Sequence, residues 1–248
     1  MENLEKLMEV AKTNVGFLLL SVTIVAIIVG SAYAAERVVR KRIGLERRRG
    51  KQSVRRMVII AVLSAIAIVL MFFEFPLWFT PGFYKLDFSE LPVIIGAFTL
   101  GPVAGITIEL IKVILNLLTD GTTTAFVGEF ANFLMGCAFI IPASFFYFLR
   151  KSKKNAIIGL LAGTVTTTLV GCFLNAFVLL PKYAEAFHTP IEAFIAQGTE
   201  KISAINSMFT FVVLAVAPFN LLKYSLVSLI TILIYKNISK ILKGDYGN

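Results

Sequence analysis

Charge and cysteine are scarce in this chain, and histidine is nearly missing. Only 16% of its 248 residues are charged, against about a quarter in soluble globular proteins. A soluble domain is short of polar surface at that level. Two cysteines, Cys137 and Cys172, both lie in apolar stretches. A disulfide framework or a zinc site needs more ligands at closer spacing, so each reads as a small buried hydrophobe. The one histidine, His188, has no second imidazole with which to build a metal or catalytic cluster, so no metal is expected. There is no Gly-x-x-x-x-Gly-Lys-Ser/Thr phosphate loop, no His-Glu-x-x-His, no Gly-x-Ser-x-Gly elbow and no pair of intramembrane aspartates. These absences favour capture of a substrate over chemistry on it, and the chain does not read as an enzyme.

What is present is hydrophobic. Apolar residues make up 57% of the chain, with 22 Phe and a mean hydropathy of +0.83. Uncharged runs near 20 residues recur, the length an α-helix needs to cross a ~30 Å hydrocarbon core. The expected fold class is therefore all-α, a polytopic helical membrane protein. The net charge of +9 is concentrated: residues 37–56 hold ten Lys/Arg and one acid, leaving 14 of each sign elsewhere. A basic strip confined to twenty residues is a cytoplasmic membrane flank, not a nucleic-acid surface.

Residues 13–35 form the first uncharged run. Ala32-Tyr33-Ala34 resembles a signal-peptidase site, but the preceding residues carry Glu2, Glu5 and Glu9 against Lys6 and Lys12, the wrong sign for a signal peptide. The run reads as an uncleaved anchor with its N-terminus outside and Arg37–Arg56 inside. Further spans are expected at 57–73, 91–100 (a short helix), 103–118, 125–149 and 155–181. Between them lie an outside loop with Trp78 and Tyr84 as interfacial aromatics, an inside turn at Gly101-Pro102, and a basic inside loop at Arg150–Lys154. Residues 182–201 read as a polar outside loop. After it, 203–217 reads as a half-inserted or interfacial stretch and about 218–238 as the last span; a single long helix kinked at Pro218 is the alternative and gives the same topology. Seven spans then put both basic flanks inside. The chain divides into an anchor helix (1–36), a basic linker (37–56), a six-helix membrane domain (57–240) and a cytoplasmic tail (241–248).

Polar groups at membrane depth are costly and carry the functional signal. Asp87 and Glu90 stand at the outer start of the third span. Glu109, Lys112 and Asn116 share a face of the fourth by their three- and four-residue spacing, and Glu109/Lys112 reads as an intrahelical ion pair. Glu129 and Asn132 share a face of the fifth. Asn175 lies near the outer end of the sixth; Asn220 and Lys223 share a face near the outer end of the last. These groups point to one outward-facing pocket. Small residues four apart, at Ala61/Ala65, Gly101/Gly105 and Gly159/Gly163/Thr167/Gly171, let helices approach closely. Each set reads as internal packing, with docking of another membrane protein open for Ala61/Ala65.

The run Lys85-Leu86-Asp87-Phe88-Ser89-Glu90-Leu91-Pro92 followed by Gly101-Pro102-Val103-Ala104-Gly105 resembles the signature of S components of energy-coupling-factor (ECF) transporters. Gly128-Glu129-Phe130-Ala131-Asn132-Phe133 and Pro218-Phe219-Asn220-Leu221-Leu222-Lys223 resemble its riboflavin-type branch. The resemblance covers about 55–240 and implies a six-helix core; the N-terminal helix is extra. It implies a vitamin-binding subunit in a prokaryotic cell membrane, working with a transmembrane coupling protein and two ATPases and thought to topple in the lipid bilayer. Riboflavin enters as transported ligand, with no cofactor and no nucleic acid. Family members meet the coupling protein through an Ala-x-x-x-Ala face, here Ala61 and Ala65. The family's pocket Asn and Asn-x-x-Lys pair match Asn175, Asn220 and Lys223, where amides suit the uracil-like edge of a flavin and a Lys donates to a ring carbonyl. Asp87 and Glu129 are candidates for the ribityl hydroxyls, Asn132 for their support, and Phe88 and Phe177 for apolar contact. Acids at the pocket mouth favour riboflavin over its phosphate. An S component for another vitamin is the nearest alternative. A stand-alone secondary transporter should show paired half-helices or a polar path across the membrane.

Overall fold

A computed structural model describes residues 8, 10–42, 51–122 and 124–243; most of 1–9, 43–50, Thr123 and 244–248 lie outside it, and with them the middle of the basic linker and most of the expected tail (241–248). Helix α1 spans Val15–Arg42 and α2 Lys51–Phe72. A two-residue pairing follows, β1 (Phe75–Pro76) with β2 (Lys85–Leu86), antiparallel with Phe75 opposite Leu86; Glu74 and Lys85 pair across its base. Then come α3 (Glu90–Leu100), α4 (Pro102–Thr119), α5 (Val127–Leu149) and α6 (Lys153–Leu174). A π turn over Asn175–Leu179 leads into α7 (Leu180–Ala186), followed by α8 (Ile191–Lys201), α9 (Met208–Phe211), a second π turn (Val212–Val216) and α10 (Ala217–Lys243).

Among the described residues, six helical segments are long and apolar enough to cross a membrane: Val15–Ala34, Val54–Phe72, Pro102–Thr119, Val127–Leu149, Lys153–Ala186 and Met208–Ile234. The eleven-residue α3 rises only about 16 Å. It is apolar on all sides because it is enclosed: Val93, Ile94, Ile95, Gly96, Ala97 and Phe98 are buried, and α2, α4, α5 and α10 pack around it. A short helix placed centrally in this way needs no polar face.

Two turns depend on glycine and proline. Gly101 joins α3 to α4 at φ 116°, a backbone region L side chains avoid, and Pro102 follows as the first residue of α4, where its missing N–H costs nothing. On α6, a Cβ at Gly159 would lie 2.4 Å from the Ala143 carbonyl oxygen and one at Gly163 2.7 Å from that of Phe139. The small-residue stripe of α6 is therefore the seam against α5, as its packing reading requires.

The structure differs from the sequence reading after Asn175. Residues 182–201 are not a loop: α6 runs on through the π turn to Ala186, and α8 is helical. The terminal stretch corrects the reading of 203–217 as a separate half-inserted segment: it takes the alternative form, one helix from Met208 with no break at Pro218. Each π turn ends two residues before a proline, Leu179 before Pro181 and Val216 before Pro218. A proline ring clashes with the carbonyl four residues back and removes one backbone bond. A widened turn at that place accommodates both defects, so the helix continues.

Candidate ligand site

Both π turns carry the candidate amides. Asn175 opens the first, and Asn220 follows the second, its Nδ2 donating to the Val216 carbonyl at 2.9 Å. The Asn175 Nδ2 donates to the Gly171 carbonyl at 2.8 Å. A Cβ at Gly171 would meet the Asn220 amide nitrogen at 2.9 Å, so the two amides flank the same glycine. Both are 4% exposed. Their backbone partners hold them on the helices, and the Asn220 Oδ1 enters no hydrogen bond among the described residues.

Lys223, one turn beyond Asn220, donates to the Asp87 Oδ2 at 2.7 Å. The Ser89 N–H donates to the other carboxylate oxygen at 2.7 Å. Burial by itself raises the Asp87 carboxyl, but the Lys223 ammonium, supported by Lys112 and the two hydrogen bonds, holds it at about 2 against an ordinary 3.8. The aromatic wall is Tyr84, whose hydroxyl donates to the Asn175 Oδ1 and whose ring lies 5.4 Å from Phe219 and 6.2 Å from Phe211. Thus Asp87, Asn175, Asn220 and Lys223 lie close together, around a tyrosine that the sequence pattern places at the membrane interface. Its signal was its place three residues before Asp87. Phe88 is half-buried between two apolar clusters.

Glu129 and Asn132 stand apart. Glu129 accepts from the hydroxyls of Thr122 and Thr124 at 3.1 and 3.3 Å. The same hydroxyl oxygens accept the Phe126 and Gly128 N–H groups that start α5, where Ala125 and Phe126 take positive φ of 52° and 70°. Asn132 is half-buried. No hydrogen bond among the described residues joins either side chain to the Asn175–Asn220–Lys223 group.

Phe177 corrects the sequence reading. It is 69% exposed and pairs with exposed Phe173 at a centroid distance of 4.9 Å. Two residues beyond Asn175, it falls on nearly the opposite side of the helix and contributes no wall to this cluster.

The Glu109/Lys112 contact is present at 2.8 Å, but it is not only intrahelical. Lys112 also reaches the Glu90 Oε1 at 2.9 Å and the Ser89 Oγ at 3.2 Å. Lys112, Glu90 and Glu109 are wholly buried.

On α2, Ala61 and Ala65 are exposed, among exposed Val58, Val62 and Ile66, whereas Ala67 is buried in the core. An apolar groove of about 330 Å³ runs beside this face, lined by residues including Leu63, Leu91, Pro92 and Ile234.

Comparison with known proteins gives this arrangement its family. The family described as "ECF transporter, substrate-specific component" matches residues 55–235. A riboflavin transporter RibU of Staphylococcus aureus (strain TCH60) is 39% identical over 79% of this chain and 97% of its own length. A riboflavin transporter FmnP of Bacillus subtilis (strain 168) is 34% identical over 73% of this chain and 90% of its own. A solved structure, that of the S component of a bacterial ECF transporter, superposes with a TM-score of 0.60 at 36% identity, covering 77% of this chain and 99% of that one. The chain belongs to the substrate-specific components of ECF transporters.

Proposed function

We propose that this protein binds riboflavin for import as the S component of an ECF transporter in a prokaryotic cell membrane. The observation that carries the reading is the convergence of Asn175, Asn220 and Lys223, all buried, beside the rings of Tyr84, Phe211 and Phe219. Two amides and an ammonium complement the polar edge of an isoalloxazine, and the rings complement its flat apolar body. Relatives named for riboflavin transport support the same ligand.

Titration of the purified protein with riboflavin, followed by quenching of flavin fluorescence, tests this. Asn220→Ala removes a hydrogen-bonding pair and should weaken binding about tenfold, and Lys223→Ala at least as much, since an unmade bond costs roughly 1–3 kcal/mol. Wild-type affinity in the folded double variant overturns the residue assignment.

The partners in this reading are a transmembrane coupling protein and two ATPases, with Ala61 and Ala65 as the docking face. Ala65→Trp should reduce co-purification with the coupling protein and leave riboflavin binding intact; equal loss of both would mark the face as internal packing. The basic segments at 37–56 and 150–154 support an N-terminus outside and a C-terminus inside. A cysteine at Ser152 should then react with a thiol reagent only from the inner side, and labelling from outside reverses the topology. Residues 57–240 would form the binding domain, with 1–36 as an added anchor helix.

A further inference from the structure

Five buried ionisable side chains run from the ligand site into the middle of the bundle: Lys223, Asp87, Lys112, Glu90 and Glu109. Charged side chains at this depth are costly, and well-packed apolar residues satisfy a purely structural role more cheaply. Lys112 is the centre of the inner part. An ammonium has three donors, and here three oxygens surround it, from Ser89 before α3, Glu90 at its first residue and Glu109 on α4. It lies wholly inside the protein and has no surface to offer a ligand.

Ser89 connects it to the site. Ser89 stands just before α3 with helical backbone angles (φ −61°, ψ −26°), a conformation that does not place its side chain to cap the helix, and it makes no cap bond. Its hydroxyl accepts from Lys112 instead, while its own N–H holds the Asp87 Oδ1 and Lys223 holds the Oδ2. With both oxygens engaged from different elements, the plane of the Asp87 carboxylate is set, and with it the direction of the Lys223 ammonium.

We propose that Lys112 is a positioning residue for ligand recognition: through the Ser89 hydroxyl it fixes the 87–90 corner, and through Asp87 it aims Lys223. This rests on the reading of Lys223 as a ligand contact. What separates the inference from simple core packing is the unbroken linkage: one residue, Ser89, accepts from Lys112 with its hydroxyl and donates to Asp87 with its N–H, and Asp87 in turn accepts from Lys223.

Ser89→Ala tests it with little damage. The substitution removes the hydroxyl and leaves the Ser89 backbone N–H and both Lys112 ion pairs. Full-length protein in nanodiscs is titrated with riboflavin by fluorescence quenching, in four forms: wild type, Ser89→Ala, Asp87→Asn and the double variant. Ser89→Ala should weaken binding about fivefold in the wild-type background and less than about twofold in the Asp87→Asn background, where the corner no longer aims Lys223. The visible absorption band of the bound flavin in Ser89→Ala should also move toward that of Lys223→Ala. Equal weakening in both backgrounds, or no weakening in either, overturns the positioning role. Lys112→Met, if it folds, should exceed Ser89→Ala; wild-type affinity there also overturns it. Wild-type protein that fails to quench riboflavin overturns the proposed function, and this inference with it, whereas additive effects in protein that binds overturn this inference alone.

Discussion

Two carboxylate clusters brace helix starts in this molecule, and they are built on opposite terms. At the Gly101 corner, Glu36 of α1 accepts the Val103 N–H at 3.0 Å and faces Arg56 at 3.7 Å. Its carboxylate lies against the N-terminal end of α4, where the helix dipole favours negative charge. A Cβ at Gly101 would sit 3.0 Å from the Glu36 Oε2, so the corner admits the carboxylate partly because it is glycine. At the other cluster, Lys112 and its acids have no exposure at all. The Arg56 side chain, by contrast, is 33% exposed, and water screens much of that pair's attraction. The first cluster therefore fastens an additional helix weakly. The second supports the site and cannot lose one partner without stranding another.

That contrast orders the expected effects. Lys112→Met should be the most damaging substitution, costing about 3–5 kcal/mol, because it leaves the buried Glu90 and Glu109 side chains without their cation. Thermal melting of purified protein measures it. Stability within a degree of wild type would mean the cluster is not ionised as drawn.

Asp87 comes next, through pH. Its carboxyl is held below its ordinary 3.8, at about 2. The associated stability is therefore fully present above about pH 4 and lost as pH falls toward 2. Melting temperature should decline over that window in the wild type and less steeply in Asp87→Asn. Parallel curves would remove Asp87 from the account.

The smallest effect belongs to Glu36. Glu36→Gln should cost about 0.5–1 kcal/mol. The exchange Glu36→Lys with Arg56→Glu restores opposite charges but sets a cation against the start of α4. It should not recover the loss if the carboxylate acts on the helix end. Full recovery in the melting temperature would reduce the corner to an ordinary ion pair.

Much of this architecture was legible in the chain. The spans, the Gly101-Pro102 turn and the Asn220/Lys223 face follow from apolar length and helical spacing, which are local properties. Pro181 and Pro218 misled at the other end: proline near a helix end usually means a stop. Only the π turns at Asn175–Leu179 and Val212–Val216, which widen the helix where the ring would clash, let both helices continue. Phe177 lies apart from the cluster because a residue two positions beyond Asn175 faces away from it, a consequence of helix geometry that a motif does not carry.

The sequence by itself determined that this chain lives in a membrane, how many long apolar helices it has, and which polar residues must be hidden from lipid. Those facts depend on length, hydropathy and periodicity along one segment at a time. The tertiary structure decided the partners: that Lys223 meets Asp87 136 positions away, that Tyr84 meets Asn175, and that Lys112 serves Glu90 and Ser89 besides its helical neighbour. A buried charge must find a counter-charge somewhere, but which one lies within reach is set by how the helices pack. That packing belongs to the folded bundle as a whole.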